Sequence, residues 1–211
     1  LRIYCPQARA FRIEDVLIEK DLQQPILQVS CAKGLVAPNN EIVQPGDNCL
    51  VILHPRRVVI SAIISSNSFS SYKELVAHDF SRNAFNFCHG NFSNKMTLCV
   101  QSIDGALFFF HHGQQLFQIQ LPNVLIPGPI VYLPTRDCLV LANSAYEVEC
   151  YKFNKMQVFT DNKLDQQKEA QRDGTAQVPI EWSCNLGEHP SQMVTHLNRY
   201  TRTYDVIATC D

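Results

Sequence analysis

Three neighbouring pairs along the chain set chemically capable side chains close together. His111 and His112 follow the strand-like run Phe108 to Phe110 and offer two imidazoles to a metal. Neighbours on a strand point to opposite faces, so the pair predicts poor co-ligands and an exposed hairpin end. Glu147 and Glu149, in AYEVECY, alternate with Val148 and would share one face of a strand. Paired carboxylates serve glycosidic chemistry, but two acids at i and i+2 read more simply as a solvated strand face. Cys88 beside His89 has the composition of a catalytic dyad, yet strand neighbours diverge, which leaves a buried thiol.

Little else in the sequence points to catalysis. His54, His78, His89, His189 and His196 lack i, i+2 or i, i+4 partners among themselves, and the strings H-E-x-x-H, G-x-S-x-G and the phosphate-binding G-x-x-x-x-G-K are absent. Asp21, Asp79, Asp104, Asp137 and Asp211 are expected at turns, where a carboxylate bonds local backbone. Trp182 reads as packing on an outer strand. No catalytic, cofactor-binding or metal-binding residue is assigned, and no cofactor is expected. The positions singled out are structural, Asp104 and Gly105 in a turn and Gly128 in the rigid turn IPGPIVY.

The nine cysteines (Cys5, Cys31, Cys49, Cys88, Cys99, Cys138, Cys150, Cys184 and Cys210) contain no C-x-x-C pair, which argues against structural zinc. Several lie in apolar runs such as NCLVIL and DCLVLA, where a free thiol acts as a small hydrophobe. This usage predicts free thiols in a reducing, cytosolic setting. Apolar residues form 45% and charged residues 18% of 211, with a formal charge of −2. That balance suits a folded chain and speaks against a nucleic-acid footprint or a polybasic membrane patch. No signal peptide or apolar stretch of spanning length is present, and the first residue is not Met, so an internal fragment is expected.

The elements that would hold these residues are almost all strands. Apolar pairs stand out at Cys49 to Ile64, Leu98 to Phe110 and Cys138 to Phe153, with a half-pair at Tyr204 to Asp211. Their starts are 49, 40 and 66 residues apart. Asp104-Gly105 predicts a two-residue type I′ turn with both φ positive. A second unit, strand, turn and new strand, recurs at Ile18 to Ser30, Phe117 to Leu133 and Trp182 to His196, and Ser71 to Gly90 fills the same slot without Pro. Four short strands per repeat of this length mark a β-propeller blade, and the repetition favours that over a β-sandwich.

The expected fold is therefore all-β, a partial, truncated, non-WD40 β-propeller of four-stranded antiparallel blades. About four blades' worth is read, with residues 1–25 ending a first blade, then 26–80, 81–122 and 123–188, and 189–211 opening a fifth. The polar insertion 162–177 predicts a short helix or a disordered excursion before the outermost strand of its blade. The chain is expected to stop in mid-hairpin at Asp211. Expressed alone it should therefore self-associate through unpaired edges, and a monomeric, cooperatively melting sample in light scattering would contradict this.

Specific strings carry a resemblance. LRIYCP, EDVLIEKDLQQPILQVS, LCVQSIDGALFFF, LIPGPIVYLPTRDCLVLANSAYEVECYKF and IEWSCNLGE, in this order, resemble the amino-terminal β-propeller of the parathyroid-hormone-responsive protein family. That family is subunit nine of the Bardet–Biedl complex, the BBSome. The resemblance implies a non-catalytic scaffold in a coat-like cargo adaptor that moves membrane proteins to and from cilia. It implies other Bardet–Biedl subunits as partners in a hetero-oligomer and an indirect link to a small GTPase. The expected location is the cytoplasm, the cilium and its base near the centrosome, peripheral to the ciliary membrane. Which residues bind other subunits is not implied. The alternatives are a propeller of another vesicle-coat or nuclear-pore assembly, and a propeller hydrolase. A hydrolase would need acids or histidines converging on the channel at matching repeat positions, and the repeats supply none.

Overall fold

The computed structural model describes residues 1–4, 15–37, 41–44, 47–65, 70–121, 127–166 and 178–210. Cys5, Asp211 and the stretch 167–177 of the polar insertion lie outside them. Among the described residues three four-stranded antiparallel sheets follow one another along the chain, flanked by two two-stranded sheets. The first pair is β1 (Arg2–Tyr4) with β2 (Val16–Glu19). The first full blade is β3 (Gln28–Lys33), β4 (Asn48–His54), β5 (Arg57–Ser65) and β6 (Ser70–Asp79). The second is β7 (Ala84–Phe92), β8 (Lys95–Ser102), β9 (Ala106–His111) and β10 (Gln114–Gln120). The third is β11 (Ile130–Leu133), β12 (Cys138–Ala142), β13 (Glu147–Lys152) and β14 (Trp182–Asn185), and β15 (Pro190–Asn198) pairs with β16 (Thr203–Cys210). Each blade is a meander in chain order, so this is a partial, non-WD40 β-propeller.

Burial explains the sequence pattern strand by strand. The middle strands β4, β8, β9, β12 and β13 are buried on both faces, so they read as continuous apolar runs rather than alternations. The outer strand β10, QQLFQIQ, alternates in its second half, with Phe117 and Ile119 turned inward. Three apolar cores result, each shared by two consecutive sheets. One unites Val51, Leu53, Val58 and Ile60 with Leu98, Val100, Phe108 and Phe110. The next joins Cys99, Leu107 and Phe109 to Leu139, Leu141 and Tyr151. The last sets Val140, Ala142 and Cys150 against Met193, Tyr204, Val206 and Ala208. A lone sheet of this kind would leave both apolar faces wet; stacking removes them from water, at roughly 25 cal/mol per Å².

The first strands of the blades lie side by side, β7 against β3 and β11, and β11 against β15. Two glycines permit close approaches here, one between blades and one within the third. A Cβ on Gly90 in β7 would fall 2.0 Å from the Tyr132 ring of β11. A Cβ on Gly128 would fall 2.6 Å from the Ala142 Cβ, and the Gly128 carbonyl accepts from Asn86 Nδ2 at 3.0 Å.

The turns differ from expectation at one point. Gly105 has φ +83° but Asp104 is not left-handed, and the Gly105 N–H donates to the Ser102 carbonyl at 3.1 Å. The connection is thus three residues, Ile103 to Gly105, closing with glycine in the left-handed region rather than a type I′ pair. Ser102 Oγ makes this shape preferable, donating to Asp104 Oδ1 at 2.5 Å and accepting from the Ala106 N–H at 2.9 Å. Two-residue turns with both φ positive occur at Ser93-Asn94 and His112-Gly113.

A helix does precede the outermost strand β14, as the polar insertion suggested, but it starts earlier. Helix α1 (Phe153–Gln166) starts directly after β13, where the strand pattern was expected to continue through Phe153. Phe153 and Met156, one turn apart, enter the second core beside β10. Their burial overrides the strand pattern. Lys155 pairs with Glu181, which Lys152 also approaches at 3.5 Å, tying the helix to the segment before β14.

Candidate protein-interaction surface

The pairs that suggested chemistry resolve into structural roles. His111 ends β9 and His112 opens the turn, so their rings do not diverge; they meet at a tilt of 48° with centroids 3.8 Å apart. The left-handed φ of His112 turns its side chain back, which the strand rule could not anticipate. His111 Nδ1 donates to the Met96 carbonyl at 2.9 Å, and burial with the adjacent His111 keeps His112 below the usual imidazole range. Glu147 and Glu149 do not form a solvated face. Glu149 is 2% exposed and accepts from Asn143 Nδ2 at 2.9 Å and Tyr151 O–H at 2.7 Å. Sheet stacking covers it, and the buried amide and phenol replace water around the carboxylate. Cys88 and His89 do diverge, Cys88 toward the second core and His89 toward Ser30 of β3, whose Oγ lies 3.2 Å from Nε2. Among the described residues no cluster of three or more His, Cys, Asp or Glu is arranged to hold a metal.

The turn aspartates do local and long-range work. Asp21 accepts from the Gln23 N–H at 2.9 Å, and Asp104 from Arg82 at 2.6 Å. Asp137, itself left-handed at φ +50°, reaches between blades. Its carboxylate accepts from the Ser93 N–H at 3.1 Å, Ser93 Oγ at 2.9 Å and the Tyr132 hydroxyl at 3.1 Å. Burial, with that carboxylate, pushes the Tyr132 hydroxyl up, so it stays a donor. Gln28 makes a matching clamp one blade earlier, donating to the Phe87 carbonyl at 3.0 Å and accepting from its N–H at 2.8 Å. These contacts span 44 and 59 residues and leave no local trace in the sequence. Asp137→Ala should lower stability by about 1 kcal/mol by removing the charge-assisted bonds to Ser93 and the Tyr132 hydroxyl, since water can satisfy the exposed Ser93 donors this frees. Thermal midpoints check this, with Asp137→Asn as the milder control.

Three histidines set a pH response. His78, stacked 4.4 Å from Phe110, His89 and His112 are all lowered from 6.5, first by burial in each case. The folded chain then binds fewer protons than the unfolded chain, so stability is complete above pH 6.5 and lost as pH falls through it toward the folded values. Urea midpoints should therefore drop between about pH 7.5 and about pH 5.5, with a shallower slope in His89→Gln.

Apolar side chains are exposed at the periphery. On β15 and β16, Val194 and Ile207 face each other across the strands at 44% and 49% exposure, on the side away from the third core. Tyr200, at the tip of their hairpin, is 99% exposed. Leu116 on β10 and Phe85 at the start of β7 add single apolar side chains.

These blades define a propeller arc of stacked four-stranded antiparallel sheets. The chain belongs to the PTHB1 N-terminal family, whose model matches residues 1–210. It is 31% identical over 202 residues to Protein PTHB1 of Xenopus laevis, covering 89% of this chain and 23% of that protein. The human Protein PTHB1 is 29% identical over 202 residues, covering 89% and 22%. A Protein pthb1 homolog of Caenorhabditis elegans is 27% identical over 182 residues, covering 84% and 21%. The chain thus spans less than a quarter of these relatives. Among solved structures, BBS1N in complex with ARL6DN, soaked with lead, matches with a TM-score of 0.58 at 15% identity, over 92% of this chain and 49% of that one. This likeness is one of fold.

Proposed function

We propose that the chain is a non-catalytic scaffold propeller of the BBSome, a coat-like cargo adaptor carrying membrane proteins to and from cilia. Its partners are other Bardet–Biedl subunits, reached through the blade rims and edges, and its work is done in the cytoplasm and at the ciliary base and membrane. The supporting observation is the PTHB1 N-terminal match over residues 1–210. The buried fate of Glu149 and the structural roles of the histidines agree with it. Attachment to the membrane is indirect, through a small GTPase; the similar fold of BBS1N, seen in complex with ARL6DN, supports such a link. Among the described residues no helix is long and apolar enough to cross a bilayer. Affinity purification of the full chain from ciliated cells tests the reading. Co-isolation of Bardet–Biedl subunits supports it, and their absence, or recovery of vesicle-coat or nuclear-pore subunits instead, overturns it.

A further inference from the structure

The register of the second blade sets two thiols face to face. Cys88 on β7 pairs directly with Cys99 on β8. No other described cysteine faces a cysteine. Cys31 lies opposite Leu50 and Cys49 opposite Ala32. Cys138 lies opposite Leu133 and Lys152, and Cys150 opposite Val140 and Trp182. Cys184 lies opposite Val148 and Cys210 opposite Pro190. Directly opposed residues in an antiparallel pair have Cα atoms roughly 4.5–5.5 Å apart, within the roughly 4.4–6.8 Å that a disulfide spans. Cys138 and Cys150 also bring their thiols together, but they are diagonal neighbours, whose Cα atoms stand roughly 7–8 Å apart, beyond easy bridging.

We propose that Cys88 and Cys99 form a reversible, peroxide-responsive thiol pair, with Cys88 the attacking residue and Cys99 the resolving one. All eight described cysteines are free, so this is the reduced form. Accessibility assigns the roles, since Cys88 is half-buried and Cys99 is 0% exposed, both against the core shared with the third blade. The two thiols are within hydrogen-bonding reach, and burial with Cys88 beside it pushes the Cys99 thiol well up, so it stays protonated until its partner reacts. The Cys88 sulfur, as thiolate, attacks one oxygen of a hydroperoxide, breaking the O–O bond to give a sulfenic acid and, with hydrogen peroxide, water. The Cys99 sulfur then attacks the Cys88 sulfur, its proton leaves with the departing hydroxyl as a second water, and the S–S bond forms. The two electrons removed from the thiols reduce the peroxide.

The test treats the full chain with graded hydrogen peroxide, alkylates residual thiols in denaturant and maps peptides by mass spectrometry. The expected product is a Cys88–Cys99 cross-linked peptide lighter by two hydrogens, formed while Cys138 and Cys150 remain thiols and reversed by dithiothreitol. In Cys99→Ser, Cys88 should instead accumulate as sulfenic and sulfinic acid. The proposal fails if wild-type Cys88 passes to sulfinic acid while Cys99 stays alkylatable. It also fails if both remain thiols at peroxide levels that oxidise the exposed Cys31 and Cys184. Both readouts use the wild-type chain, so they stand even if a variant folds poorly.

Discussion

Replacing Gly90 by alanine is expected to destabilise the chain by about 3 kcal/mol, at the upper end of overpacking costs, although the new side chain is one methyl group. The backbone at Gly90 is ordinary strand; what forbids a Cβ is the Tyr132 ring, three of whose carbons would lie 2.0, 2.5 and 2.6 Å away. The ring cannot slide aside cheaply. It packs 4.1 Å from Phe92, and its hydroxyl donates to the Asn91 carbonyl at 2.8 Å and to Asp137. Moving it opens the seam between β7 and β11, where the second and third blades meet. On an exposed strand the same change would gain stability, because glycine loses more conformational freedom on folding. A double-mutant cycle decides the matter. If the ring is the cause, Gly90→Ala should cost little in a Tyr132→Ala background. An alanine variant whose urea midpoint matches wild type would refute the argument.

Phe109→Ala should cost about 3–5 kcal/mol, as large-to-small changes at fully buried aromatics do. Phe109 is 0% exposed and stacks on Phe117 at 4.5 Å, with Phe92 at 6.0 Å and Phe153 at 5.4 Å. It therefore connects β7, β10 and α1, and the cavity left behind would be walled by rings that cannot collapse into it. Phe85, two strands away in the same sheet but 42% exposed, serves as the control, with Phe85→Ala expected within about 0.5 kcal/mol of wild type. Denaturant midpoints of the two variants measured side by side would show whether the ring cluster or aromatic content in general carries the stability.

The sequence made the meanders legible for a physical reason. Middle strands buried on both faces leave runs such as CLVILH and ALFFF, and Pro55-Arg56 or Asp104-Gly105 punctuates them. What escaped it was whatever depends on the next blade. Glu149 looks solvated in AYEVECY because nothing local says that a sheet will cover it, with Asn143 and Tyr151 as partners. Phe153 continues an alternating pattern and yet begins a helix, because the second core offers its ring a place. The His111-His112 geometry hinges on one left-handed residue, and the Ser93-Asn94 turn lacks the glycine that would have announced it. The stabilising contacts of Asp137 and Gln28 join residues far apart in the chain, and turn propensity at Asp137 was the one faint signal.

Placing α1 inside the third blade carries a kinetic implication. β11, β12 and β13 are joined by short links and can assemble by local collisions, whereas β14 must be brought back across the whole stretch from Phe153 to Glu181. Closing that longer loop costs entropy before any ladder bond repays it. The blade is thus a three-stranded unit completed late by a four-residue strand, and its rim, rather than its centre, is where the architecture opens first.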